Sequence, residues 1–264
     1  MYDFHTNKPW YFEMQFKNAK DFVIPFIEQR FQINKNIHVL EVGCAEGGVL
    51  KAFLEKGCTG VGVELEEGRL KLAEQFLEKE LGEGKVKLIN KNIYDPSFEI
   101  EFRNQFDLII LKDVIEHIPN QEKILQEFKK FLRPGGKIFF GFPPWYMPFG
   151  GHQQICKSIL SKVPYFHLLP MNLYKKILTF FKEYVPAFVE IKETGISTNR
   201  FERIVKETGY QVILDTHFLI NPIYKFKFGL TPFKQIGLIK AVPHLRDFFT
   251  TCVYYLIEQR EIKH

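Results

Sequence analysis

The segment His38-Val-Leu-Glu-Val-Gly-Cys-Ala-Glu-Gly-Gly48, followed about twenty residues later by Val61-Gly-Val-Glu-Leu65, constrains the fold more than any other feature. An apolar strand enters a small-residue turn, a helix follows, and a second strand ends in an acid. That order builds a pocket for a nucleoside-bearing cofactor at the carboxyl end of a parallel sheet. A carboxylate at Glu64 is placed to accept hydrogen bonds from two ribose hydroxyls.

The pattern continues downstream. Val86–Asn90, Phe106–Leu111 and Lys137–Phe142 read as further apolar strands, each separated from the next by helical periodicity. Leu70, Ala73, Phe76, Leu77 and Leu81 mark one helix face, and Ile124, Leu125, Phe128, Phe131 and Leu132 mark another. Residues 18–31 look helical but contain Pro25, which predicts two short helices. Alternation of this kind predicts an α/β, Rossmann-like, doubly wound and mostly parallel sheet. Gln211–Leu219 and Cys252–Glu258 are expected as an antiparallel pair at its edge, giving seven strands with the last antiparallel. Residues 220–250 form a long excursion between them.

One structural domain with four parts is expected: a helical lid over residues 1–34, a cofactor-binding core over 35–142, an aromatic and partly helical cap insertion over 143–200, and a closing segment over 201–264. The chain is long enough for one sizeable core. Its 28 Phe residues are spread over both halves, and residues 143–264 carry 16 Lys and Arg against 9 Asp and Glu. That excess suits an anionic substrate, a membrane surface or nucleic acid, or is simply a solvated basic face. Four cysteines show no paired spacing and no His-x-x-x-His occurs, so no metal is expected. The start lacks the apolar core of a signal peptide, and the uncharged run Ile138–Cys156 holds three prolines and three glycines, which exclude an uninterrupted membrane helix. A cytoplasmic location follows as the default.

The turn itself argues about the cofactor. A dinucleotide fingerprint needs a glycine where Ala45 stands, and Glu46 faces the place a pyrophosphate would occupy. A Lys-Ser/Thr pair of the P-loop type is also missing. The chemistry therefore points away from NAD and ATP.

With Glu41-Val-Gly-Cys-Ala-Glu-Gly47, Glu64, Phe106-Asp-Leu-Ile-Ile-Leu-Lys-Asp-Val-Ile-Glu-His-Ile118 and Leu132-Arg-Pro-Gly-Gly136 in this order, the chain resembles the class I S-adenosylmethionine-dependent methyltransferases over roughly residues 37–142. It departs from them at Ala45, where a glycine is usual, and at Asn92, where an aspartate often meets the adenine amino group. The resemblance implies S-adenosyl-L-methionine as cofactor and S-adenosyl-L-homocysteine as product. It also implies cofactor contacts at Glu41, Gly43, Cys44, Ala45, Gly47, Glu64, Leu65, Asn92, Ile93, Leu111, Lys112 and Asp113. Glu41 serves equally well as a buried acid organising the turn, and Asp113 as the N-cap of the next helix.

His117, in the Glu-His-Ile form shared with many small-molecule methyltransferases, is the catalytic candidate: an imidazole can take the proton of an oxygen or nitrogen nucleophile. Its alternative is a capping or packing role. Tyr146, His152 and Gln153 in the aromatic segment after Phe142 are candidates for the acceptor side, and Tyr11 for a lid residue that reaches the cofactor carboxylate. The expected partner is a small or lipid-like acceptor methylated on oxygen, nitrogen or carbon, with no nucleic acid. Peripheral membrane contact, with a quinone or lipid precursor as acceptor, and a catalytically silent cofactor-binding module remain open alternatives.

Overall fold

The computed structural model describes residues 7–243 and 245–260. Five parallel strands, β1 (His38–Val42), β2 (Thr59–Val63), β3 (Val86–Ile89), β4 (Phe106–Lys112) and β5 (Leu132–Phe142), alternate with helices. Two long strands, β6 (Tyr210–Ile220) and β8 (Cys252–Gln259), then close the sheet, and β8 is antiparallel to both of its neighbours. The sheet order is β3-β2-β1-β4-β5-β8-β6-β7. These are the seven strands expected, plus a two-residue β7 (Phe233–Lys234) contributed by the 220–250 excursion.

The central strands β1, β4, β5 and β8 are buried on both faces. Helices α6 (Pro96–Phe102), α7 (Gln121–Phe131) and α10 (Thr198–Glu207) cover one side. Helix α7 shows how the chain specifies this: Asn120 caps its start by accepting from the Lys123 N–H at 2.9 Å, and Ile124, Leu125, Phe128 and Phe131 fall on the buried stripe. On the opposite side lie α1 (Lys8–Asn18), α2 (Ile24–Ile27) and α3 (Gly48–Glu55). Residues 8–27 run as nearly one helix rather than two. A wider π-type turn over Ala19–Val23 lies just before Pro25 and absorbs the missing N–H. The helix expected over 67–81 instead breaks at Leu77 into α4 (Glu67–Phe76) and α5 (Glu78–Gly82).

After β5 the chain leaves the sheet. Helices α8 (Met171–Phe180) and α9 (Val185–Thr194) share a separate apolar cluster with Cys156, Leu160 and Phe166. The excursion between β6 and β8 adds two short helices, α11 (Tyr224–Phe228) and α12 (Gly237–Lys240), and rests on the cap where Phe248 stacks on Tyr146 at 5.6 Å. Strand order reverses between β1 and β4, the position in such a sheet where a crevice opens outside the carboxyl ends.

Candidate active site

The turn after β1 is built by backbone geometry. Gly43 has φ +70°, and a Cβ there would lie 2.6 Å from Val114 Cγ2. The N–H groups of Gly43 and Cys44 both donate to the Val63 carbonyl, at 2.8 and 3.0 Å, which pins the turn to the end of β2. Gly47, at φ +84°, caps α3 and packs against Leu77 without facing the cavity. Ala45 adopts φ +51°, and its N–H donates to Glu64 Oε2 at 2.9 Å. The other Glu64 oxygen accepts the N–H groups of Leu65 and Glu66 at 2.8 and 2.9 Å. The acid at the end of β2 is thus held by three backbone donors, and Oε2 keeps acceptor capacity for a hydroxyl.

A cavity of about 430 Å³ opens here, lined by Glu41, Cys44, Ala45, Glu64 and Leu65, and further by Asn92, Ile93, Lys112, Asp113 and His117. Glu41 is buried and its Oε2 has no hydrogen-bond partner among the described residues. Burial pushes its carboxyl well above the usual range, against the pull of the Leu50 backbone. Asn92 Oδ1 accepts the Tyr94 N–H at 3.0 Å and so organises its own loop, leaving its amide NH₂ and a second lone pair of the oxygen.

Several expectations need correction. Leu111 is wholly buried in the core and does not line the cavity, because its side chain falls on the helix-covered face of β4. Asp113 is no N-cap: it sits at φ +58°, its N–H donates to the Gly141 carbonyl at 2.7 Å, and its carboxylate pairs with buried Lys112. Glu46 is not a free charge facing the turn. Burial alone would raise its pKa, but Arg69, bound through two nitrogens at 3.2 and 2.8 Å, and Lys8 at 2.9 Å hold it below the ordinary range. The charge argument against a pyrophosphate therefore loses its force, although the Ala45 substitution stands.

Tyr11 lines the cavity beside the turn, with the Arg69 guanidinium 5.9 Å from its ring centre and Gln15 donating to its hydroxyl at 2.9 Å. Tyr146 stacks on Phe248 and does not line the cavity. Gln153 is fully buried and structural: its amide donates to the Pro148 carbonyl at 2.9 Å and meets His167 Nδ1 at 3.3 Å, locking the cap. Among the three acceptor-side candidates, His152 alone is brought beside His117, with ring centres 4.9 Å apart.

His117 ends a short 3₁₀ turn over Ile115–His117 at the cavity edge. Burial lowers its pKa while the Asp113 and Glu190 carboxylates oppose the shift, so the neutral imidazole is favoured. Beside it Glu116 is buried, and burial together with the Asp113 charge pushes its carboxyl up. Residues that sequence reasoning missed are Lys8, Gln15 and Arg69, from the lid and α4. Only folding brings these to the turn. No local spacing announces them.

The family described as methyltransferase domain matches residues 15–148. The chain belongs to this methyltransferase family. Among its relatives are a ubiquinone biosynthesis O-methyltransferase from Coxiella burnetii, 29% identical over 119 residues (44% of this chain and 47% of that protein), and one from Pseudomonas fluorescens, 28% identical over 134 residues (50% and 56%). The chain thus spans about half the length of these curated relatives. Similar solved folds include geranyl diphosphate C-methyltransferase from Streptomyces coelicolor, in complex with S-adenosyl-L-homocysteine (TM-score 0.59, 14% identity, 92% of this chain and 79% of that one). Another is the PH0226 protein from Pyrococcus horikoshii (TM-score 0.60, 14% identity, 98% and 100%).

For a methyltransferase of this family the residues fit S-adenosylmethionine. The unpartnered Glu41 oxygen offers an acceptor to its ammonium, Glu64 to its ribose, and Asn92 and Ile93 flank a place for its base. Once bound, this cofactor supplies an electrophilic methyl group on a sulfonium.

Proposed function

We propose that the protein transfers the methyl group of S-adenosylmethionine to an oxygen, nitrogen or carbon of a small or lipid-like acceptor. The observation that carries this is the cavity at the switch point, with Glu41, Glu64 and Asp113 on its cofactor side and the neutral His117 at its other edge. Methyl transfer is a direct displacement, so most of the protein's task is alignment. The turn from Gly43 to Gly47 and Tyr11 of α1 hold one reactant, while the segment from Val114 to Pro119 bounds the other. His117 is our candidate for the group that handles the acceptor's proton.

Acceptor class follows from the walls. Ile93, Tyr94, Val114, Ile118 and Ile124 give the cavity an apolar wall on the side of His117, which favours an apolar acceptor. With methyl-labelled S-adenosylmethionine and a cell extract, label is expected in a product soluble in organic solvent, identifiable by mass. Label confined to nucleic acid would overturn this acceptor class.

A second reading, action at a membrane surface, draws on the excursion. Residues 216–245 contain no Asp or Glu but carry Lys225, Lys227, Lys234 and Lys240, of which Lys225 pairs with Asp21 and Lys240 with Asp215. The same stretch exposes Phe228, Leu230, Phe233, Ile236 and Leu238, the last 82% exposed. Exposed apolar groups interspersed with cations suit an anionic lipid surface. No helix among the described residues is long and apolar enough to cross a membrane, so such contact would be peripheral.

A further inference from the structure

We propose that Glu116, His117 and His152 form a binding site for a divalent metal ion at the acceptor edge of the cavity. Their ligand atoms all lie within 4.8 Å of one another, with one carboxylate and two imidazoles drawn from two chain segments. Glu116 supplies the second, independent observation. It is only 4% exposed, and neither carboxylate oxygen has a hydrogen-bond partner among the described residues. A buried carboxylate without partners is costly, and a cation is the ligand that would offset the cost most fully.

Both segments are held in place by contacts that do not involve the trio's own ligand atoms. The Gln121 amide donates to the Ile115 carbonyl at 3.2 Å and to the Thr194 carbonyl at 2.6 Å, tying the Ile115–His117 turn to α9. His152 sits at φ +54°, its N–H donating to the Phe149 carbonyl at 3.1 Å. The next residue is Gln153, whose buried contacts lock the cap. Gln153, expected on the acceptor side, thus acts as a positioning residue for His152.

Two imidazoles and one carboxylate, with coordination positions left over, make the donor set of an open zinc-type site and disfavour calcium or magnesium. An acceptor hydroxyl on such an ion would become more acidic: its proton would leave to solvent, the oxygen would keep the electron pair that forms the new bond to the methyl carbon, and the carbon–sulfur bond would break with its pair going to sulfur, releasing S-adenosylhomocysteine. In this arrangement His117 would handle the acceptor's proton through the ion it ligates, by making the hydroxyl acidic, and not by taking the proton itself. The chemical use rests on the methyltransferase reading, but the metal site does not.

The test is a calorimetric titration of the full chain with Zn²⁺ in a non-chelating buffer, beside a separate titration with S-adenosylmethionine. Wild-type protein should take up one Zn²⁺ per chain. Glu116→Gln, which keeps the shape of the buried group, and His152→Ala should each weaken Zn²⁺ at least about tenfold, a loss that even outer-shell changes produce. The cofactor titration should stay within about twofold of wild type in both variants, with unchanged circular dichroism reporting that they fold. The site is overturned if wild type binds no stoichiometric Zn²⁺, or if both variants bind as wild type does. Zn²⁺ uptake without S-adenosylmethionine binding would instead sink the proposed function and leave the site standing.

Discussion

Two residues of the first turn carry opposite lessons. Ala45 holds a left-handed conformation at φ +51° that glycine adopts freely. Ala45→Gly should therefore stabilise the protein by up to about 1 kcal/mol, seen as a raised Tm; a lowered Tm would show that the methyl group packs usefully. Glu64 is held by three backbone N–H groups and faces the cavity. Losing one charge-assisted hydrogen bond at about 1.5 kcal/mol predicts that Glu64→Ala weakens S-adenosylmethionine roughly tenfold. Unchanged affinity by calorimetry would remove Glu64 from the cofactor set. Both residues were legible in the sequence because the turn is local. Arg69 and Gln15 were not: their roles depend on packing of α4 and α1 that no nearby residue encodes.

At the scale of elements, the strands and their order follow from runs of apolar residues between helical repeats, and the structure keeps them. The cap is different. Aromatic composition pointed to an acceptor pocket at Tyr146 and Gln153, yet both side chains are spent on holding the cap together. His167 is the centre of that lock, fully buried, with Nε2 at 2.7 Å from the Trp145 carbonyl oxygen. Burial lowers its pKa from 6.5 to about 4. The unfolded chain therefore binds this proton more readily, so stability is full above pH 6.5 and falls as pH drops towards 4, by roughly 2–3 kcal/mol. Unfolding followed by Trp145 fluorescence should show that slope, and His167→Gln should flatten it. A wild-type protein whose cap is equally stable at pH 7 and pH 4.5 would contradict the assignment.

Across the whole molecule, the acidic first half holds the cofactor turn while the basic second half supplies the cap and the excursion. The sequence showed that asymmetry as net charge but not its geometry, since the 220–250 excursion folds back onto the cap only through contacts such as Tyr146 with Phe248. If the exposed face of the excursion meets lipid, the protein should co-sediment with anionic vesicles at low salt and be released at high salt. A charge reversal at Lys234 together with Leu238→Asp should reduce that binding several-fold. Indifference to anionic vesicles would assign the acceptor to solution.

The central claim is that the crevice between β1 and β4 takes S-adenosylmethionine. Titration of the pure protein with S-adenosylmethionine, S-adenosylhomocysteine and NAD measures it directly. One molecule of each sulfur compound should bind per chain, in competition, while NAD gives no heat beyond dilution. Binding of NAD with no response to S-adenosylmethionine would contradict the account.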